Sequence, residues 1–339
     1  MYQIYVILFT FISILFFNYI LKKKNLFVDQ KFFPHKSFAT KKTLPISGGI
    51  VFFLGCLVFL SFENNFIKLF ILMIFIIGFL SDKNYLSSPI KRFFLQLVII
   101  FLFVYVSQNF ISSFRLSVVD ILLGNIFFKY FITIICLMVL INGSNFMDGV
   151  NTLFLGYYLG VSILSLIVLN KYGFELDIKN FHIIIIILFI LFLFNFFNKL
   201  LSGDSGAYLI SFLIGYYLIY ISNLSDFISP FFVGCLLWYP AYECLFSIIR
   251  KKIKKISISQ SDNKHLHQLL LIYFRKKFKI KNERLNTITG LSINIFNYII
   301  FYNAFHNISQ TKNLVFIIFI CIIVYNFVYY YLNKRAKFF

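Results

Sequence analysis

Long apolar runs alternate with short polar clusters along the whole chain. The runs cover approximately residues 2–21, 46–62, 66–81, 92–108, 125–142, 152–169, 181–197, 205–221, 229–249, 285–304 and 313–332. As helices, runs of about 17–21 residues are long enough to cross a hydrocarbon core about 30 Å thick. The pattern predicts an all-α fold, a polytopic membrane helix bundle of about eleven transmembrane helices. The first run, Tyr2 to Leu21, has no basic residue before it and no small-residue cleavage site after it. It therefore reads as a retained span and not as a cleaved signal peptide. No internal repeat or Pro/Gly-rich linker interrupts the pattern, so residues 1–339 form one integral membrane domain. Its largest loop, 250–284, is strongly basic, with a short amphipathic helix expected near Leu269 to Phe278.

Composition sharpens this picture. The chain is 60% hydrophobic and 13% charged, whereas a soluble domain is about 45–50% apolar and about 25% charged. The five cysteines are scattered through apolar segments with no C-x-x-C pair, which argues against a disulfide framework or a zinc site. The formal net charge of +20 admits a nucleic-acid partner or a membrane orientation signal, and the distribution of charge decides between them. Loops 22–45, 82–92, 143–151, 198–204 and 250–284 and the tail 333–339 carry 26 of the 32 Lys and Arg residues. The remaining six are Lys68, Arg115, Lys129, Lys171, Lys179 and Lys312. By the positive-inside rule this asymmetry puts the N-terminus outside and the C-terminus in the cytoplasm of a multi-pass plasma (inner) membrane protein. It accounts for the charge without nucleic acid.

The same cytoplasmic loops hold the unusual polar clusters. They are Lys41 to Gly49, Ser81-Asp82, Ser88 to Gln96, Asn142 to Asn151, Ser202 to Gly206, and Asp262 to His267. Asp82, Asp148 and Asp204 all sit at span ends on this one face. Taken singly, Asp148-Gly149 reads as a turn and Asp204 as a helix N-cap. Gly78 and Gly203 suit either close approach to a ligand or helix packing. Taken together, the acids favour a site, because ionisable groups at membrane depth are costly and normally face a cavity. Carboxylates with amide carbonyls are hard oxygen ligands suited to Mg²⁺ that also holds substrate phosphates. A lysine beside a Gly-Gly turn brings an ammonium and backbone N–H groups to phosphate. His265 and His267 can hydrogen-bond a pyrophosphate; a zinc site would need two further ligands. The chemistry these residues suit is phosphoryl transfer between anionic substrates. The leading non-enzyme alternative, a lipid flippase or transporter, predicts ionisable groups at mid-membrane depth and inverted repeats.

At these residues the chain resembles the polyprenyl-phosphate N-acetylhexosamine-1-phosphate transferases of glycosyltransferase family 4. The resemblance runs from about Asp29 to His267. Pro-x-x-Gly-Gly matches Pro45 to Gly49, and a basic residue three before the proline matches Lys42. Asn-x-x-Asn-x-x-Asp-Gly matches Asn142, Asn145, Asp148 and Gly149. Gly-Asp-x-Gly matches Gly203 to Gly206, and the histidine loop matches at His265 and His267. The resemblance implies that a polyprenyl phosphate attacks the sugar-linked phosphate of a UDP-sugar and releases UMP, initiating cell-surface glycan synthesis. It implies a Mg²⁺ (or Mn²⁺) cofactor held by Asp204 and Asn145. Asp82, Asp148 and Lys42 take catalytic places, and Asn142, His265 and His267 bind substrate. The implied partners are the polyprenyl phosphate, the UDP-sugar and the bilayer, with a homodimer left open. Three positions depart from the pattern. Ser81-Asp82 replaces Asp-Asp, Gln268 replaces the last histidine of His-x-His-His, and Thr152 replaces a glycine. They leave a degenerate family member as an alternative. The residue between His265 and His267 fits the branch that uses simple UDP-N-acetylhexosamines better than the phospho-muramoyl-pentapeptide branch.

Overall fold

The computed structural model describes residues 2–24, 44–62, 64–173, 175–257, 260 and 264–337. Among them lie thirteen helices: α1 (Tyr2–Lys23), α2 (Gly48–Phe59), α3 (Phe66–Asp82), α4 (Pro89–Ser107), α5 (Ser117–Leu123), α6 (Ile126–Met147), α7 (Leu153–Tyr172), α8 (Glu175–Phe196), α9 (Gly203–Asn223), α10 (Pro230–Ile253), α11 (Leu266–Lys277), α12 (Asn282–His306) and α13 (Thr311–Lys337). The only pairing of extended chain among the described residues is a parallel bridge between Ile46 and Leu201.

Every expected span falls on a helix, and eight of the helices are long and apolar enough to cross a membrane. The protein is thus a multi-pass helical membrane protein, but the spans are not uniform. Helix α2 has 12 residues, about 18 Å at 1.5 Å per residue, too short to cross alone. Helix α12 is long but carries Asn286, Thr287, Thr289, Asn294 and Asn297 as buried polar groups. Their partners are internal: Asn294 donates to the Thr152 carbonyl at 2.8 Å, and Trp238 Nε1 donates to Asn297 at 2.9 Å. Two further helices, α5 and α11, are too short to span, and α11 realises the amphipathic element expected in the basic loop. One boundary matters for function. The run ending at 142 continues as helix to Met147, so Asn142 and Asn145 ride one face of α6, three residues apart.

Helix α9 is the axis of the bundle, with 83% of its apolar window buried. It packs against α3, α6, α2 and α7. At its start, side chains give way to backbone contact. A Cβ on Gly49 would lie 2.4 Å from Gly206 N, and one on Gly78 would lie 2.4 Å from Ser205 Cα. Gly78 is therefore a packing residue. Gly203 adopts φ +73°, a conformation that L side chains resist. Helices α1, α4 and α13 lie at the rim, with most of their surface outward.

The two ends of the bundle differ. At one end the C-termini of α3, α6, α8 and α10 meet the N-termini of α2, α4, α7 and α9. At the other, the loop before α5 is tied down by Arg115, whose guanidinium donates to the carbonyls of Asp226, Ile228 and Ser309. The candidate site residues among the described residues gather at the first end.

Candidate active site

The first half of the site grows from two helix starts. A helix leaves its first N–H groups without internal partners. For α2 these are satisfied by chain: Gly48 and Gly49 donate to the carbonyls of Leu201 and Ser202, both at 3.0 Å. The expected Gly-Gly turn is thus the first turn of a helix. For α9 the partner is a side chain. Asp82 accepts the N–H of Asp204 at 2.8 Å, the N–H of Ser205 at 3.0 Å and the Ser205 hydroxyl at 2.6 Å. Asp82 therefore caps α9 from the end of α3, against the positive end of the helix dipole. The N-cap position itself belongs to Ser202, so Asp204 is not the cap.

Relieved of that task, the Asp204 carboxylate turns to other partners. Its Oδ2 accepts from the Ser81 hydroxyl at 2.6 Å and from Arg92 at 2.7 Å. Arg92 also donates to Ser81 Oγ at 2.6 Å and, at 3.5 Å, to the Tyr208 hydroxyl. Ser81, where the family resemblance leads one to expect a second acid, is thus a neutral bridge between Asp204 and Arg92. Asn145 Nδ2 reaches Tyr208 Oη at 3.4 Å, and Asn142 Nδ2 donates to Gln96 Oε1 at 3.2 Å. The half-buried strip of α6 so joins α4 and α9 at the acid cluster.

The second half is built on α6, α10 and α11. Asp148 is the C-cap of α6 and is half-buried. A Cβ on the following Gly149 would lie 2.3 Å from His267 Nε2, so the Asp-Gly pair is glycine at the one place where the histidine needs room. His267 is fully buried, and neither ring nitrogen has a hydrogen-bond partner among the described residues. Burial holds its imidazole far down, at about 3, because the charged form loses its water. His265 stacks on His267 with ring centroids 5.7 Å apart and packs at a tilt against Phe146 at 5.0 Å. Its Nδ1 donates to Glu243 at 2.7 Å. Gln268, another departure from the family pattern, serves α11 itself: its side-chain oxygen accepts the His265 backbone N–H at 3.0 Å, one arm of a capping box. Thr152, the third departure, takes φ +68°, the left-handed region that glycine adopts freely. It is held there by bonds from its N–H to Asn195 Oδ1 at 2.6 Å and from its hydroxyl to the Thr287 carbonyl at 3.0 Å.

Lys42 lies outside the described residues. Of the other expected site residues, the structure brings Asp82, Asp204, Asn142 and Asn145 into one network, and His265 and His267 against Phe146 and Gly149. Arg92 and Glu243 are additions. Arg92 lies in the polar cluster Ser88 to Gln96, where nothing in the sequence singles it out. Glu243 carried a signal, since it is the one acid within the apolar run of α10.

The residues test well against a magnesium ion in donor chemistry. Asp204 Oδ1 carries no hydrogen bond among the described residues, and Asn145 donates through nitrogen, leaving its amide oxygen for a cation. No group of three or more His, Cys, Asp or Glu side chains is poised around a metal among those residues. Two protein oxygens with substrate phosphates and water completing the shell is the manner in which Mg²⁺ is usually held.

A sequence model of the family described as glycosyl transferase family 4 matches residues 64–222, which include Ser81, Asp82, Arg92, Asn142, Asn145, Asp148 and Asp204. The probable undecaprenyl-phosphate N-acetylglucosaminyl 1-phosphate transferase of Bacillus subtilis (strain 168) is 25% identical over 269 residues, spanning 73% of this chain and 70% of that protein. The undecaprenyl-phosphate alpha-N-acetylglucosaminyl 1-phosphate transferase of Thermotoga maritima is 27% identical over 254 residues, spanning 73% of this chain and 74% of that protein. With the motifs assembled at one end of the bundle, the chain is similar over residues 64–222 to glycosyl transferase family 4.

Proposed function

We propose that this protein transfers N-acetylhexosamine-1-phosphate from a UDP-sugar to a polyprenyl phosphate at the cytoplasmic face of the plasma membrane. An oxygen of the lipid phosphate attacks the sugar-linked phosphorus. The bond from that phosphorus to the bridging oxygen breaks, and UMP leaves with the electron pair. The observation that carries the reading is the meeting, on the last turns of α6, of an acid–arginine cluster with a histidine loop. Cations, amides and imidazoles are what a diphosphate donor and a monophosphate acceptor both require.

Asp204 and Asn145 would hold Mg²⁺, which supplies charge neutralisation between the two anions. Arg92 fixes Asp204 and brings a guanidinium to the same place. Asp82 keeps α9 seated, so that Asp204 projects from a rigid helix start. Ser81 needs no acidic replacement. A phosphate monoester has a second pKa of about 6, so the acceptor is largely ionised near neutrality without a base. Asn142, Asp148, His265 and His267 line the donor side, and Lys42 adds a cation. Both relatives named above act on undecaprenyl phosphate and an N-acetylglucosaminyl group, and this supports undecaprenyl phosphate and UDP-N-acetylglucosamine as the substrates. Such a product opens the synthesis of a cell-surface glycan. The clustering of 26 of the 32 Lys and Arg residues in alternate loops along the sequence supports its cytoplasmic orientation.

The test is direct. Purified protein is incubated with undecaprenyl phosphate, Mg²⁺ and a panel of UDP-sugars, and UMP and the lipid product are measured. UMP release that needs both lipid and metal is expected, fastest with UDP-N-acetylglucosamine. Absence of turnover with every donor would overturn the proposal.

A further inference from the structure

Glu243 sits where a carboxylate is expensive. It is 1% exposed, one turn beyond Pro240 in a helix that crosses the apolar layer. The proline shapes the surroundings. Lacking an N–H, it leaves the Leu236 carbonyl without its helical partner, and the Tyr157 hydroxyl takes that place at 2.7 Å. Against the Pro240 carbonyl packs Gly143, where a Cβ would lie 2.0 Å from the oxygen. So α10 is pressed backbone to backbone on α6, and Glu243 emerges at the level of the α6 motif.

Its two oxygens have separate uses. Oε1 accepts Nδ1–H of His265 and Oε2 accepts the Tyr325 hydroxyl, both at 2.7 Å. The phenol comes from α13. We propose that Glu243 is a positioning residue of the sugar-phosphate transfer, which fixes the tautomer and ring orientation of His265 and so the face it turns to the UDP-sugar; this rests on the function proposed above.

The case for this over a mere staple between helices is one of charge. A glutamine would fill the same volume and could join α10 to α13 and to the loop at far lower desolvation cost. What a carboxylate adds is an acceptor that never donates. Beside it Nδ1 must carry the proton, and the lone pair of the neutral ring is confined to Nε2. A glutamine amide can present either oxygen or NH₂ to Nδ1, and the tautomer is then no longer fixed. Other contacts of His265 hold the ring in place: its backbone N–H is tied to Gln268, its ring lies parallel to His267, and Phe146 packs against it at a tilt. This arrangement of carboxylate, imidazole and ligand recurs wherever a histidine must keep one orientation.

The experiment compares full-length Glu243→Gln, Glu243→Asp and Tyr325→Phe proteins with the natural chain. Steady-state UMP release gives separate KM values for UDP-sugar and for polyprenyl phosphate. Nitrogen chemical shifts of ¹⁵N-histidine-labelled protein report the His265 tautomer, assigned by loss of its signal in His265→Asn. For Glu243→Gln the expected result is a UDP-sugar KM raised by about tenfold or more. The lipid KM should stay within about twofold, and the His265 signal should move toward mixed tautomers. Glu243→Asp should recover part of the loss, and Tyr325→Phe, which leaves the carboxylate, should lose less than Glu243→Gln. An unchanged tautomer in Glu243→Gln overturns the inference. So does a loss spread equally over both substrates and following thermal stability across the variants. The histidine signals are read without turnover, so a natural chain inactive with every donor would defeat the functional reading while the tautomer result still judged this one.

Discussion

At the Asp204 end of the site, charges meet partners: Asp82 takes three hydrogen bonds from the start of α9, and Asp204 shares one oxygen between Ser81 and Arg92. At the His267 end, the imidazole is sealed between Gly149 and His265 with neither nitrogen paired among the described residues. The first region is organised by electrostatics and the second by fit and by the exclusion of water. A change of charge should therefore damage the first most, and a change of volume or of pH the second.

The largest effect is expected from Asp204→Asn. The amide keeps shape but removes the charge that balances Arg92 and would hold magnesium. Turnover should fall by about a thousandfold, and isothermal titration should show Mg²⁺ binding lost while the circular dichroism spectrum is retained. Full turnover, or turnover undiminished in EDTA, would sink the assignment.

Arg92→Met should come next. It leaves Asp204 buried without its cation, which costs about 3 kcal/mol where the pair is shielded from solvent, and turnover should fall by about a hundredfold. Combining it with Asp204→Asn should add little in a UMP-release assay, because the two side chains act as one unit. Additive losses would show that Arg92 acts elsewhere.

Gly149→Ala tests the second region by volume. The new methyl must push against His267, so the KM for UDP-sugar should rise by about tenfold with the Mg²⁺ requirement unchanged. A shifted metal requirement would mean that the two regions are not separable.

His267 also makes the second region sensitive to acid. Its folded value, about 3, lies below the ordinary histidine value of about 6.5. Between those values the unfolded chain binds a proton that the folded chain refuses. The stabilising contribution is thus complete above about pH 6.5 and is lost as pH falls toward about 3. In detergent, the drop in Tm from about pH 7.5 to about pH 5 should be smaller by a few degrees in His267→Asn than in the natural protein. Identical drops would show that His267 titrates normally.

The smallest effect is expected at Ser81. Its hydroxyl only bridges groups that already touch, so Ser81→Ala should change turnover by no more than about threefold. Ser81→Asp should do no better, since it places a second carboxylate beside Asp204. Strong activation by Ser81→Asp would mean that an acid is missing from the natural site.

The difference between the regions also explains what could be read from the chain. Apolar runs locate helices, because burying backbone in lipid leaves little other choice. They misjudge ends. Asn142 to Asn145 look like the close of a span, yet α6 continues through them, because the Asn142 and Asn145 side chains meet Gln96 of α4 and Tyr208 of α9 and not lipid. The run 46–62 looks like a span, but Leu201 and Ser202 fix where α2 begins, and that pairing is made by residues about 150 positions away in the chain. Within the site, Asp204, Asn145 and the histidines lie in short motifs and are visible locally. Arg92 lies in the visible cluster Ser88 to Gln96, but its partner does not, because only the fold brings it to Asp204. Thr152 and Gln268 read as losses in sequence, whereas in three dimensions the threonine is held in its left-handed conformation by α8 and α12 and the glutamine caps α11.

The bond from Tyr325 to Glu243 joins residues 82 positions apart, and this sets an order on biogenesis. Chains are made from the N-terminus, so every motif residue through His267 leaves the ribosome before α13 does. Until α13 enters the membrane, Glu243 is a carboxylate in the bundle without its phenol partner. The histidine face is therefore completed only when α13 inserts, and a nascent chain that ends before Thr311 carries the motifs through His267 without it.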